Sequence, residues 1–569
     1  MNDFGHAMQS AAQAYTRGDW AGAEAICRKI LAAKTSHFDA LTLLGIVSAQ
    51  TGRAAEAAAL FRRAVRVKPR DASAHSNLGN ALKELKQLDE ALSSYDRAIR
   101  RKPDYAEAHY NRGLVLQELQ RWAEALDSYN RAISLNPDSA KAYCNRGLVL
   151  QELGRLNDAM DSYDRAIKIS PDLAEAYCNR GITLRALNRT DEALQSYEHT
   201  IELRPDYAEA YYNLGNTLKS LNRLNDALEY YNHALQIKPD YADAHLNLSI
   251  CWLLLENFAR GWEEYEWRWQ SREISSKLAI NHARFAKDWD GGALQGALLV
   301  LPEQGVGDEI FYSGMLNDLR SRAASITVCV DPRLVRLYER SFANMSFVAK
   351  GAINPGQPFD AQVYMASLGR YFRGSPSALE GIKVPYLHAC SDHVESLRAR
   401  IKNGDRLLCG LSWVSKNADI GTDKSLSLDA LTPLLNLDHV DFVDLQYGDT
   451  RAEQAALCAA SNIALKRIAE IDNFNDIDDL AALIDACDIV VTVSNTTAHL
   501  AAALGKPVFV MLPFSAGLLW YWHIDRDDSP WYPSARLFRQ ERIGDWTGVI
   551  ERVRQTLLRW RNNQTRQPP

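Results

Sequence analysis

The segment from Asp104 to Pro137, DYAEAHYNRGLVLQELQRWAEALDSYNRAISLNP, recurs in near-copies at 138–171, 172–205 and 206–239, and in weaker copies at 36–69 and 70–103. A fixed period of 34 residues constrains a chain more than any local propensity does. Each unit is one supersecondary element that buries its apolar face only by stacking on its neighbours. Gly45, Gly79, Gly113, Gly147, Gly181 and Gly215 share one place in the period, where a missing Cβ lets a second helix approach. Ala57, Ala91, Ala125, Ala159, Ala193 and Ala227 hold the matching small-residue place in that second helix. Pro69, Pro103, Pro137, Pro171, Pro205 and Pro239 close the units, because proline cannot continue a helix and displaces its predecessor from helical angles. Segments 2–35 and 240–272 keep the period with losses, Ala11 and Ser249 standing where glycine is expected, so about eight helix pairs are predicted over residues 1–272.

This pattern resembles the tetratricopeptide repeat, whose helix pairs coil into an α-superhelix with a concave face that binds extended peptides. Asn77, Asn111, Asn145, Asn179, Asn213 and Asn247 recur two residues before the glycine place, which sets six amides in a ladder along one face. Each amide offers a donor and an acceptor, so it can pair with a main-chain peptide group of any sequence for about 1 kcal/mol net per bond. At this position the array is similar to those of protein O-GlcNAc transferases, whose asparagine ladder holds acceptor polypeptide. The resemblance implies that these six residues bind an acceptor peptide. The same amides can equally bond neighbouring helices, as asparagine does in ordinary repeats of this type.

The formal charge of −6 and a pI near 6.1 leave no global basic field for a polyanion, and no local basic stripe is evident, so nucleic acid is not an expected partner. No apolar run approaches the roughly 18 residues of a membrane span, and the start MNDFGHAMQS has no basic stretch followed by an apolar core. A cytoplasmic location is expected. The nine cysteines form no C-x-x-C pair, which suits reduced thiols better than a disulfide frame or a zinc site, and no metal is expected.

After Arg272 the period stops and short apolar runs alternate with helical patterns, the signature of an α/β fold. ALLVLP (297–302), SITVCV (325–330) and AQVYMA (361–366) read as buried parallel strands of one unit, with helices near 308–321 and 332–342. LLCGLSW (407–413), VDFVDLQ (440–446), DIVVTVS (488–494) and KPVFVML (506–512) read as those of a second. Two Rossmann-like units in tandem are predicted, spanning 273–392 and 393–562 with a tail at 563–569. Ligands of such sheets sit beyond the carboxyl ends of the strands. Three loops there, EQGVGDEI (303–310), GLSWVSKNADIGTDKSLSL (410–428) and VSNTTAHLAAALGKPVFVML (493–512), together with SPWYPSARLFRQ (529–540), resemble the heptosyltransferase-like bacterial glycosyltransferases of the GT-B fold that follow tetratricopeptide arrays. The resemblance runs over roughly residues 285 to 560. It implies an inverting, metal-independent transferase with an acceptor-side and a donor-side domain. It also implies a nucleotide-activated sugar as co-substrate rather than a resident cofactor. Some such fusions glycosylate flagellin with a nonulosonic acid such as pseudaminic acid.

Sugar transfer needs a base for the acceptor hydroxyl and dipoles or cations for the leaving phosphate. In Gly305-Val306-Gly307-Asp308 the glycines let backbone approach a ligand, and a helix start favours an ionised carboxylate. The family's Gly-Asp loop carries the catalytic role to Asp308, for which helix capping is the alternative occupation. Asn495-Thr496-Thr497-Ala498-His499 follows a strand and opens a helix, so free N–H groups there suit a phosphate. Related sequences usually have aspartate at the Asn495 place and arginine at the Tyr521 place. The resemblance carries donor binding to Lys424, Trp413, Asn495, Thr496, Thr497 and His499, with Lys416 as a substitute for Lys424. The aromatic segments Trp520-Tyr521-Trp522 and Trp531-Tyr532 read as packing, and Asp288-Trp289-Asp290 and Asp525-Arg526-Asp527 as chance matches to D-x-D.

The predicted fold class is therefore α + α/β, a repeat superhelix followed by a two-Rossmann-domain GT-B transferase. The expected function is transfer of a sugar to a hydroxyl of a protein held by the repeats. Two rivals stand beside it: a scaffold with a degenerate transferase half, and a transferase acting on lipopolysaccharide or another glycan.

Overall fold

The computed structural model of the protein describes residues 3–271, 285–353, 356, 358–417, 420–514 and 517–564. The boundary expected between 272 and 273, and residues 565–569 of the expected tail, lie outside the described residues. Sixteen helices in eight pairs run from Asp3–Thr16 to Phe258–Tyr265, which matches the predicted number of repeats. The glycine place is explained by rings. A Cβ on Gly79, Gly113, Gly147 or Gly181 would lie 2.5–2.7 Å from the ring of Tyr95, Tyr129, Tyr163 or Tyr197, each sixteen residues on, and Gly45 meets Phe61 in the same way. Real Cβ atoms do not approach that closely, so glycine is what allows each tyrosine to fill the joint of its helix pair. Ala57, Ala91, Ala125, Ala159, Ala193 and Ala227 are fully buried.

A second periodic device joins the helices of each pair. Gly18, Gly52, Lys86, Gln120, Gly154, Asn188, Asn222 and Glu256 all have positive φ, one in every turn between first and second helix. Only three are glycine, so residue identity alone conceals the regularity.

The chain divides into two compact units, Met1–Thr217 and Leu218–Pro569. The division does not fall where the period ends near 272. The last helix of the repeats, Phe258–Tyr265, and the short turn Glu266–Trp269 are built into the α/β part. Trp262, 1 % exposed, lies against Gly369, where a Cβ would come within 2.3 Å of its ring, and its indole N–H donates to the carbonyl of Arg373 at 2.8 Å. The Arg526 guanidinium pairs with Glu256 at 3.1 Å. Arg268 is fully buried and pairs with Glu303 at 3.2 Å.

The α/β part holds two all-parallel sheets. The first contains β1 (Leu294–Leu301), β2 (Ala323–Val330), β3 (Ser346–Ala349) and β4 (Ala361–Tyr364) in the order β3-β2-β1-β4. The second contains β5 (Leu407–Ser412), β6 (Val440–Asp444), β7 (Ile489–Val493), β8 (Val508–Leu512) and β9 (Ala535–Arg539) in the order β6-β5-β7-β8-β9. All seven predicted strands are present, and β3 and β9 are added. Both additions are edge strands, short or punctuated by arginine, and so lack the continuous apolar run of a strand buried on both faces. Strand order reverses between β1 and β4 in one sheet and between β5 and β7 in the other, and crevices at such reversals are where ligands of open α/β sheets bind.

Candidate active site

The loops after β1 and β7 meet. Helix Val306–Ser313 packs its first turn against that of helix Thr496–Ala503. A Cβ on Gly307 would stand 3.3 Å from His499 Cδ2 and 3.6 Å from Thr496 Oγ1. Two helix N-termini therefore converge, and their free N–H groups and dipoles favour negative charge between them.

Asp308 is the third residue of its helix, whose N-cap is Gly305. It is no N-cap itself; its carboxylate reaches back to the Gly305 N–H, as the third residue of a capping box does. Burial first, and then the nearby Glu303 carboxylate, raise its pKa to about 6 against the lowering influence of Lys424, Lys350 and the Gly305 N–H. An acid of this kind is mostly ionised at neutral pH yet poised to accept a proton. Glu303 is 2 % exposed. Its Oε1 accepts from the Ala366 N–H at 2.9 Å, which ties the loop after β1 to the end of β4.

Lys424 lies on the short turn Thr422–Lys424, in a loop closed at its neck by Ser425, whose hydroxyl accepts from the Ser415 N–H at 2.9 Å and donates to the Gly421 carbonyl at 2.6 Å. The lysine is 4 % exposed. Burial lowers its pKa to about 8, partly offset by Asp308, so it remains largely protonated at neutral pH. Among the described residues its ammonium has no hydrogen-bond or ion-pair partner. A buried, uncompensated cation costs several kcal/mol and is a natural seat for an anion.

The remaining donor-side residues divide. Thr496 is partly exposed at its helix start, and Thr497 Oγ1 is buried without a partner among the described residues. Both are free to face an anion. The Asn495 side chain is fully occupied. Its oxygen accepts from the Thr492 hydroxyl at 3.1 Å and the Ala498 N–H at 3.3 Å, and its nitrogen donates to Ser412 Oγ at 2.8 Å and the Val414 carbonyl at 3.2 Å. It fastens the end of β5 to the end of β7 and has no group left for a ligand. Trp413 is a core residue of the second sheet, fully buried, its indole N–H donating to Glu453 at 3.1 Å. His499 is 2 % exposed. Its ring stacks on Trp522 at 5.2 Å and its Nδ1 lies 3.0 Å from the Tyr532 hydroxyl. Burial lowers its pKa to about 3, so it is a neutral imidazole that shapes the site and brings no charge to a phosphate.

Tyr521 packs on Phe311 at 4.4 Å, within the same aromatic cluster as Trp520, Trp522, Trp531 and Tyr532. These rings are packing residues, as the sequence suggests. A cleft of about 200 Å³ adjoins Thr496 and Val306 and is lined also by Arg333, Lys416, Tyr447 and Phe474. Of these, sequence reasoning finds Lys416 alone. Tyr447 lies three residues past β6, where the rule of strand carboxyl ends would have pointed.

The asparagine ladder is a donor chain between repeats. Asn145 donates to the Tyr110 hydroxyl at 2.9 Å, Asn111 to Asn80 Oδ1 at 3.2 Å, and Asn179 and Asn213 to the sulfurs of Cys144 and Cys178 at 3.7 and 3.8 Å. The side-chain oxygens of Asn77, Asn111, Asn145, Asn179 and Asn213 have no partner among the described residues, and all five side chains are half-buried. Asn77 and Asn111 line a cavity of about 390 Å³ together with Asn80, Ile46 and Phe61. Asn247 departs from the ladder. It is buried, accepts from Lys219 and donates to the Asp243 carbonyl at 3.0 Å, so its amide is structural.

No group of three or more metal-ligating side chains occurs among the described residues, and none of their helices is long and apolar enough to cross a membrane.

Models of the tetratricopeptide repeat match residues 14–82, 79–120, 116–154, 138–206 and 172–240. The N-terminal region is a tetratricopeptide repeat array. Protein FlbA of Caulobacter vibrioides (strain ATCC 19089 / CIP 103742 / CB 15) is 30% identical over 332 residues, 53% of this chain and 52% of that protein. The chain thus spans about half the length of this relative. Among solved structures, the tetratricopeptide protein YrrB, described as having an unusual peptide-binding site, is 29% identical and covers 32% of this chain and 95% of its own, with a TM-score of 0.29. MamA is 26% identical over 29% of this chain and 96% of its own, with a TM-score of 0.28. Tetratricopeptide repeats usually bind protein partners.

Proposed function

We propose that the protein is an inverting, metal-independent GT-B glycosyltransferase that moves a sugar from a nucleotide donor to a hydroxyl of a polypeptide held by its repeats. The observation that carries the reading is the buried Lys424 ammonium, without a partner among the described residues and near the Asp308 carboxylate, at two converging helix N-termini. Asp308 takes the proton of the acceptor hydroxyl as its oxygen bonds to the anomeric carbon. The bond from that carbon to the phosphate oxygen breaks, and its electron pair leaves with the nucleotide. Lys424, the Thr496 and Thr497 hydroxyls and the adjoining N–H groups absorb the charge that grows on the phosphate. Asn495 and His499 hold this frame without touching the donor. Flagellin is one acceptor class to which the sequence resemblance leads, and a nonulosonic acid one sugar class.

Lys424→Ala tests the donor side. It is expected to weaken sugar-nucleotide binding by roughly tenfold or more in calorimetry, with the fold intact, because a cation already buried is lost from the phosphate. Unchanged affinity would remove the lysine from the donor site. The acceptor side is tested by changing Asn111, Asn145 and Asn179 together to alanine. Acceptor binding is expected to fall by about 1 to 3 kcal/mol with helix content preserved, since three acceptor oxygens leave the concave face. Equal affinity in a folded triple variant would confine these amides to bonding between repeats.

A further inference from the structure

We infer that Arg268 and Glu303 are positioning residues for the proposed base, so that the last turn of the repeat region is part of the catalytic apparatus rather than a spacer; this rests on the reading of Asp308 as the base. Arg268 sits on the turn Glu266–Trp269, directly after the last repeat helix, and its side chain is fully buried. Its guanidinium reaches Glu303 at 3.2 Å, Glu266 at 2.9 Å and the Ser367 hydroxyl at 3.0 Å, and it lies over the Trp269 ring at 4.2 Å. Glu303 opens the loop that ends in Asp308, and the same carboxylate oxygen holds the Ala366 N–H. One buried carboxylate thus joins the repeats, the end of β4 and the loop of the base.

The charges around Asp308 come from every side of the loop. Glu303, Lys350 and Lys424 face it, as do the hydroxyls of Tyr265, Tyr312 and Tyr521. Lys350 donates to the Glu303 carbonyl at 2.9 Å and pairs with Glu309 at 2.5 Å. Within this set Glu303 is the nearby negative charge that disfavours ionised Asp308; burial raises the pKa of Glu303 itself, and Arg268 is the cation that opposes this and favours its ionised form. Neither residue has to touch a substrate to act.

The test needs no substrate. The melting temperature of full-length Asp308→Asn minus that of its parent, followed from pH 4 to 8, reports how far folding disfavours the ionised carboxylate. The difference should be near zero at the acid end, rise through Asp308's titration and level off above it. Repeating the pair in a Glu303→Gln background should move the midpoint down by roughly one pH unit and shrink the plateau. Identical curves in both backgrounds would overturn the coupling while leaving the transferase reading untouched. Arg268→Met should lower the melting temperature by several degrees, and Glu303→Gln added to it should restore more than half of the loss, because the orphaned charge is gone. If Arg268→Met does not fold, the double variant and the Glu303→Gln curves still decide. Wild-type melting in Arg268→Met would return the arginine to space filling.

Discussion

Asp308→Asn is expected to lower sugar transfer by roughly 100-fold or more while leaving donor affinity within about twofold. Asparagine keeps the shape and the contact to the Gly305 N–H but cannot take a proton. The same change should stabilise the protein at neutral pH. A carboxylate whose folded pKa of about 6 lies above its unfolded value contributes stability that is present below the unfolded pKa and lost as pH rises through the folded one. Between about pH 4 and 6 the wild type therefore loses stability that the asparagine variant keeps, by about 1 to 3 kcal/mol at the plateau after allowance for partial exposure. Activity down and stability up in one variant is the mark of a site that holds an unfavourable charge for use. Near-normal transfer would remove Asp308 as the base.

The second large effect concerns where the chain can be cut. A fragment starting at residue 273 deletes Phe258, Trp262 and Arg268. It leaves Glu303 buried with its guanidinium partner gone and opens the face of Gly369 that Trp262 covers. Orphaning a buried charge costs about 3–5 kcal/mol and removing a buried tryptophan a similar amount, against a typical total of 5–15 kcal/mol. This fragment should be unfolded or aggregated, whereas residues 218–569 should melt cooperatively. Equal, cooperative melting of the two would contradict the division of the chain at Thr217.

The period of 34 residues made the repeats legible, because identical units must satisfy identical contacts. It also hid their limit. Repeat periodicity records how each helix pair packs on itself. Trp262 keeps the apolar place of Leu92, Leu126, Leu194 and Leu228 while also meeting a different neighbour, whereas Arg268 breaks the period, standing where Ala64, Ala98, Ala132, Ala166 and Ala234 stand. The seven buried strands were legible as continuous apolar runs; β3 and β9 at the edges were not. At the site, loops after strands identified Asp308, Lys424, Thr496 and Thr497, which remain available to a ligand. Motif position alone could not separate them from Asn495, Trp413 and Asn247. Whether an amide or indole has spare hydrogen-bonding capacity depends on partners far away in sequence, such as Ser412 for Asn495 and Glu453 for Trp413. The neutral state of His499 likewise comes from rings brought in by 520–532.

The central claim, sugar transfer to protein by this site, is tested most directly by intact-mass measurement of host proteins from cells with the gene, without it, and with the gene carrying Asp308→Asn. At least one protein is expected to carry a mass increment of whole glycosyl residues that disappears on deletion and does not return with the variant. Identical masses in all three, or full return of the increment with Asp308→Asn, would contradict it.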